Sequence, residues 1–345
     1  MPKLMTFKAA VKDAKAKGYA RSVLLGNGFS MAYNPQVFGY DSLAKEARLT
    51  GLSVQKSELF EQLGSTNFEV IIEMLTASAK MQRLYCAVEG CARAMEADAT
   101  TLRRGLAEVL ADRHPGNNFA LTDEEIRHAR TFLSNFRQLF TLSYDLLLYW
   151  AVNRADVGPR VPMTDGFEYA TVDQRDDLIW KANPTQGRQR VFFLHGALHL
   201  FVDEDKRVHK LSWGEHGSLV PEIRRRLDRG MYPLIVTEGR REEKEARIDR
   251  SAYLRTAHRR FANIEGALFV HGVSMSPNDD HIFEPVADEQ SRIVALYVGV
   301  RGSINSANGR ELARRAEGIA DERKAAGGKK LEVEFYDADS AHVWR

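Results

Sequence analysis

The chain has 345 residues, 44% of them apolar and 28% charged, enough to build a sizeable core under a solvated surface. That excludes a disordered chain, a collagen-like fibre and a small disulfide-stapled module. Lys plus Arg number 49 against 47 for Asp plus Glu, so the formal charge of +2 exerts no overall pull on nucleic acid or an acidic membrane.

The first short apolar run, Ser22 to Leu25, reads as a strand and leads directly into Gly26-Asn27-Gly28-Phe29-Ser30. From about residue 42 to 138 no strand is expected. Phe68, Ile71, Ile72 and Leu75 form one helical stripe, and Leu102, Leu106, Val109 and Leu110 form another. Thr122-Asp123-Glu124-Glu125 has the spacing of a capping box, opening a helix with Ile126, Ala129 and Leu133 on one face. Strands then resume: Phe140 to Leu142, Val191 to Leu194, Leu234 to Thr237, Ala267 to Val270, Ile293 to Val298 and Leu331 to Phe335. Loops at Asn153 to Asp165 and Lys181 to Gly187 precede the Val191 strand. Continuous rather than alternating apolar runs suit strands covered on both faces, as in a parallel sheet. Helical stretches lie between several of them, including a stripe of Tyr253, Ala257, Phe261 and Ile264 and a charged helix from Asn308 to Lys324. The expected fold is therefore α/β, a Rossmann-like doubly wound and mostly parallel sheet, with residues 1–41 and 139–345 forming the α/β domain and 42–138 an all-helical insertion.

Other features carry less. Cys86 and Cys91 are too few for a disulfide framework or a four-cysteine zinc site and read as packing within a helix; no metal site is expected. No apolar run reaches the roughly 18 to 20 residues of a bilayer span. Met1 to Lys8 has no apolar signal-peptide core, so the expectation is a soluble, cytoplasmic protein. The mixed-sign run Arg240 to Glu245 reads as a solvated helix start, and Arg224 to Arg226 and Arg314-Arg315 as candidate basic faces.

The chemistry gathers where strands end. Gly26 and Gly28, flanking a small polar residue at a strand-to-helix junction, can let backbone N–H groups approach a diphosphate, or can form a tight turn with no ligand. The usual dinucleotide fingerprint wants a third Gly where this chain has Met31, and an acidic residue ending a second strand about 20 residues on. Hydride-transfer chemistry is therefore disfavoured. The second strand runs into Ser143-Tyr144-Asp145 and the third into His195-Gly196, while a later one runs into His271-Gly272-Val273-Ser274. A His beside Gly at such a position can serve as general base near neutral pH, although taken singly it is more often a hydrogen-bonded core residue. Ser143 and Asp145 singly suit a turn or helix cap.

In this order the motifs GNGFS, TLSYD, HG and HGVSMSPND resemble the sirtuin-like NAD-consuming family, in particular its bacterial group with a helical insertion, many of whose members serve in anti-phage defence. The resemblance runs from about Arg21 to Trp344. It implies that Gly26, Asn27, Gly28, Phe29 and Ser30 cradle the NAD pyrophosphate, that His195 is catalytic, and that Gly272 and Ser274 contact the adenosine side. Ser143 stands where the family's second motif usually carries Asn. The four cysteines of protein-deacylating members are absent, which points to simple cleavage of NAD.

The expected activity is therefore NAD glycohydrolysis: His195 as base, Ser143 orienting water or ribose, and Asp145 as a weaker candidate for stabilising positive charge. His199 and His271 are expected to be structural. A homo-oligomer, or a nucleotide-processing or ATPase partner, is expected to gate the activity. Two other classes stay open. One is a non-catalytic NAD- or nucleotide-binding regulatory subunit, which Ser143 motivates. The other is an interaction module built on the helical insertion.

Overall fold

The computed structural model describes residues 4–86, 89–171, 174–185, 187–212, 218–237 and 241–345. Residues 1–3 of the N-terminal segment, Gln186 and Arg240 lie outside the described residues.

The apolar runs do become a parallel sheet. Its seven strands are β1 (Met5–Thr6), β2 (Arg21–Leu25), β3 (Gln138–Thr141), β6 (Val191–Phe193), β9 (Gly266–His271), β10 (Ile293–Val300) and β11 (Glu332–Asp337), in the order β1-β11-β10-β9-β2-β3-β6. Every neighbouring pair is parallel. Val23, Leu24, Leu268, Phe269, Leu296 and Tyr297 are all wholly buried, as strands sandwiched between helix layers must be. The protein is thus a Rossmann-like α/β fold, its sheet flanked by helices. From β2 the chain moves outward through β3 to β6, then returns to β9 on the other flank of β2 and moves outward through β10 to β11. The strand order therefore reverses between β2 and β9, the point where open α/β sheets form a crevice beyond the strands' carboxyl ends.

Among the described residues between 42 and 137 there is no strand. The two predicted stripes lie buried on the helices Phe68–Tyr85 and Gly90–Arg113. The Thr122 capping box forms as expected, with Thr122 Oγ1 accepting from Glu125 N and Thr122 N donating to the Glu125 carboxylate. Phe68, Ile72, Leu102 and Leu106 share one hydrophobic core with Val23 and Phe269 of the sheet, so these helices and the strands are stabilised together.

Several expectations are corrected. Leu234 to Thr237 is not a strand of the sheet: it makes one isolated antiparallel bridge, Ile235 to Gly196, and presses against the turn after β6. An antiparallel sheet was not anticipated: β4 (Phe167–Thr171), β5 (Gln174–Trp180), β8 (Val208–Lys210) and β7 (Leu200–Val202), in that order. Cys86 and Cys91 are exposed rather than packed, Cys86 just past the end of the helix Phe68–Tyr85 and Cys91 on the first turn of Gly90–Arg113, off its buried face. Arg224 bonds to Asp112, Arg225 to Glu222, Arg314 to Glu311 and Arg315 to Asp280, so each candidate basic run is matched locally by carboxylates. Among the described residues no helix is long and apolar enough to cross a membrane.

Candidate active site

A cleft of about 680 Å³ opens at the reversal of strand order, a size ordinary for small-molecule sites. Gly26, Asn27, Gly28, Ser143, Asp145, His195, Gly272 and Ser274 all line it. Of the residues the sequence singled out, Phe29 and Ser30 do not. Phe29 is buried against Trp344, and Ser30 is buried beneath the turn.

One wall is made of backbone. Gly26 N donates to the carbonyl of His271 at 3.0 Å and Gly28 N to that of Gly272 at 2.8 Å, so the loops after β2 and β9 lie against one another. A Cβ on Gly28 would sit 2.5 Å from Gly272 Cα, and one on Gly272, whose φ is +68°, would sit 2.6 Å from Phe29 N. The glycines are thus required by the closeness of two chain segments. Gly26 N and Gly28 N point at protein carbonyls, which changes the reason for the motif: these amides serve the loop–loop contact rather than a diphosphate. Trp344 closes the same wall from the C-terminus, its Nε1 donating to Phe29 O at 2.8 Å.

Beneath the turn, Asp145 organises the second motif. Its Oδ2 accepts from Ser30 Oγ and from Ser143 Oγ, each at 2.5 Å, and its Oδ1 accepts from Leu147 N at 2.8 Å. It therefore takes the first N–H of the helix Leu147–Asn153 and ties two motifs together, which accounts for it as a structural carboxylate. Ser143 spends its proton on Asp145 and offers the cleft only acceptor lone pairs.

The rest of the site is made of side chains, and most of these were not anticipated. His195 ends the segment after β6. Gly196, at φ +77°, lets the chain turn there, because a Cβ would collide with the Leu234 carbonyl. The His195 ring is 2% exposed, and its Nε2 lies 3.0 Å from His281 Nε2. Burial, the Lys244 charge and the nearby His281 and His258 rings all push the His195 pKa well below the usual value, so the imidazole is neutral. Glu69, from the helical insertion, lines the cleft together with Asp279, Tyr40 and Tyr144. Lys244 Nζ reaches Glu69 Oε2 at 2.9 Å, Asn278 O at 3.0 Å and Asp279 Oδ1 at 3.6 Å, with its side chain wholly buried. The expectation of a solvated helix start thus fails at Lys244. Burial opposes its charge, and Glu69 and Asp279 overcome that opposition and hold its pKa above the usual range. Burial, with Glu69 adding to it against the pull of Lys244, raises Asp279 to about 6. The Tyr144 hydroxyl lies 2.8 Å from Glu69 Oε1 and 2.7 Å from the Val236 carbonyl.

His195, Asp279 and His281 bring their ligand atoms within 4.8 Å of one another, the one such group among the described residues that a metal ion could suit. The two imidazoles, however, point head-on: planes 15° apart and centroids 5.2 Å apart, which is the Nε2 separation of 3.0 Å plus two ring radii. Ligands of one tetrahedral ion converge at an angle instead. The Lys244 ammonium beside Asp279 opposes a cation further. His199 does not line the cleft and packs on Tyr149 and Phe193, and His271 bonds to the Tyr336 hydroxyl at 3.0 Å.

A family model described as a domain of unknown function (DUF4917) matches residues 23–344. The chain belongs to this family. The match takes in most of β2, its glycine turn, the helical insertion and Trp344, so it contains every residue that lines the cleft except Arg345. No curated protein matches the chain.

Proposed function

We propose that this chain is a NAD glycohydrolase, cleaving the nicotinamide–ribose bond of NAD to nicotinamide and ADP-ribose. The observation that supports this best is a neutral His195 sharing one cleft with the Ser143 hydroxyl, at the reversal of strand order. The N-glycosidic bond breaks with its electron pair leaving on nicotinamide, and the ribose C1′ bonds to water oxygen. Water passes its proton to His195, the Ser143 oxygen accepts a hydrogen bond from water or ribose, and Glu69 and Asp279 face the positive charge that develops on the sugar. Arg301 and Arg345 line the same cleft and supply positive charge for the diphosphate, while Arg315, also in the lining, is already paired with Asp280 and Glu311.

The test is nicotinamide release from NAD, followed by chromatography. Wild type is expected to release it and His195→Ala to do so about 10²- to 10⁴-fold more slowly. Equal release by both removes His195 from the mechanism, and no release by wild type at any protein concentration moves the weight to the partner-gated and binding-only readings. NAD that raises the unfolding temperature without being cleaved is the signature of the second reading, a regulatory nucleotide-binding subunit. That reading is favoured by the commitment of the Ser143 proton to Asp145. Because unchecked NAD cleavage is toxic, the activity is proposed to be gated by self-assembly or a nucleotide-processing partner, in the setting of anti-phage defence. Full-rate hydrolysis by a dilute monomer counts against such gating.

A further inference from the structure

Two imidazole rings whose Nε2 atoms face head-on across 3.0 Å can share only one proton between those atoms. Two lone pairs would repel, and two N–H groups would collide. Which ring carries the proton decides what His195 can do. If His195 Nε2 is the acceptor, its Nδ1 bears the other ring proton and cannot take one from water. If His195 Nε2 is the donor, Nδ1 is a bare lone pair. Among the described residues Nδ1 has no hydrogen-bond partner, and the ring lines the cleft. The chain carrying His195 is fixed: Val236 N donates to the His195 carbonyl at 2.9 Å, and the Gly196 turn fits against Leu234. His281 is fixed as well, on the first turn of the helix Asp280–Ala287, with its ring nearly parallel to that of His258, 6.0 Å away.

We propose that His281 is a positioning residue that acts through His195, accepting the Nε2 proton and so holding His195 in the one tautomer whose Nδ1 is free to take a proton in the cleft. This deepens the NAD glycohydrolase reading and, as a catalytic role, rests on it. When water oxygen bonds to C1′ and the glycosidic pair departs with nicotinamide, the water proton goes to His195 Nδ1. The Nε2 proton shifts toward His281 Nε2, and the charge of the pair lies beside the Asp279 carboxyl. After product leaves, the Nδ1 proton returns to solvent and the original tautomer is restored. His281 thereby does for His195 what a carboxylate does for histidine in a hydrolase triad: it selects the tautomer and stabilises the imidazolium.

The experiment joins two readouts on full-length protein, with wild type, His281→Phe and His281→Gln labelled with ¹⁵N at histidine. The first is the His195 tautomer, read from ring nitrogen shifts assigned with His195→Ala. Wild type is expected to show a single Nε2–H form. His281→Phe is expected to mix the forms, and His281→Gln, whose carboxamide oxygen can accept the same N–H, to restore it. The second is nicotinamide release: kcat falls about 10- to 10³-fold in His281→Phe with KM unchanged, and His281→Gln recovers part of it. A wild-type His195 protonated at Nδ1, or a His281→Phe enzyme with wild-type kcat, overturns the proposal. A fixed Nε2–H tautomer in a wild type that releases no nicotinamide overturns unassisted NAD cleavage and leaves the tautomer assignment standing, because the tautomer readout needs no substrate. Should His281→Phe fold poorly, the comparison of His281→Gln with wild type keeps both readouts decisive.

Discussion

The two walls of the cleft are built in opposite ways. The wall at β2 and β9 is backbone against backbone, held by glycines within short contiguous motifs, and its hydrogen bonds run from main chain to main chain. The other wall is a knot of side chains drawn from distant parts of the chain: Glu69 from the insertion, His195 after β6 and Asp279 after β9 line the cleft, and Lys244 from the helix Arg241–Arg250 and His281 bond to them. The first wall tolerates no added atoms, while the second tolerates no lost charges. Each claim can be broken by substitution.

Lys244→Ala is expected to have the largest effect. It leaves two carboxylates facing each other in a buried site, a loss of about 3–5 kcal/mol in unfolding free energy. Urea unfolding of Lys244→Ala, Glu69→Gln and the double variant gives the coupling. The double variant should recover part of the loss, since it removes one of the stranded charges. Simple additivity of the two single effects would show that the knot is not a unit.

Gly28→Ala tests the other wall. The added Cβ meets Gly272 Cα at 2.5 Å, backbone that cannot rotate away, so about 1–3 kcal/mol of stability should go without any ligand present. Thermal unfolding without NAD is the measurement. An unchanged midpoint together with lost NAD binding would return the glycines to the ligand-cradling role read from sequence.

This contrast also explains what was legible in the sequence. Local patterns gave the parallel strands, the Thr122 capping box and the positions of Gly26, Ser143, His195 and Gly272 around one crevice, because each depends on neighbours a few residues away. In the sequence Glu69 is one charged position beside an apolar stripe, and Lys244 one member of a mixed run. Their pairing spans 175 residues, and no local pattern encodes it. The antiparallel sheet was missed for a related reason: β7 and β8 have three residues each, too few to show an alternation. Leu234 to Thr237 has the composition of a strand and is buried like one, yet it meets the Gly196 turn instead of a ladder.

Acid should act on the side-chain wall and the core around it. His114 and His271, fully buried, have pKa values lowered by burial to about 4. His195 and His199 are pushed well below the usual value in the same way. Between about 4 and 6.5 the unfolded chain binds more protons at these sites than the folded one, so their contribution to stability is lost as pH falls through that window. Asp279, raised to about 6, has the opposite sign: its folded form binds the extra proton and gains as pH falls toward 4. At about pH 5, His114 and His271 each cost about 2 kcal/mol relative to neutrality and Asp279 returns about 1 kcal/mol, so the net change is a loss. Urea midpoints that stay flat from pH 7 to about 5 would contradict the burial of neutral histidines.

The smallest expected effect falls where the walls meet. Ser30 and Ser143 both donate to Asp145 Oδ2, but only Ser143 lines the cleft. Ser30→Ala removes one of the carboxylate's three donors and should lower stability by about 1 kcal/mol. Nicotinamide release should barely change, because Ser143 and Leu147 N still hold Asp145. Ser143→Ala makes the same hole in the Asp145 shell and in addition removes an acceptor from the cleft, so at matched stability loss it should lower kcat where Ser30→Ala does not. Equal kcat in the two variants would mean that Ser143, like Ser30, only supports Asp145, and that the reacting face of the cleft belongs to the side-chain wall alone.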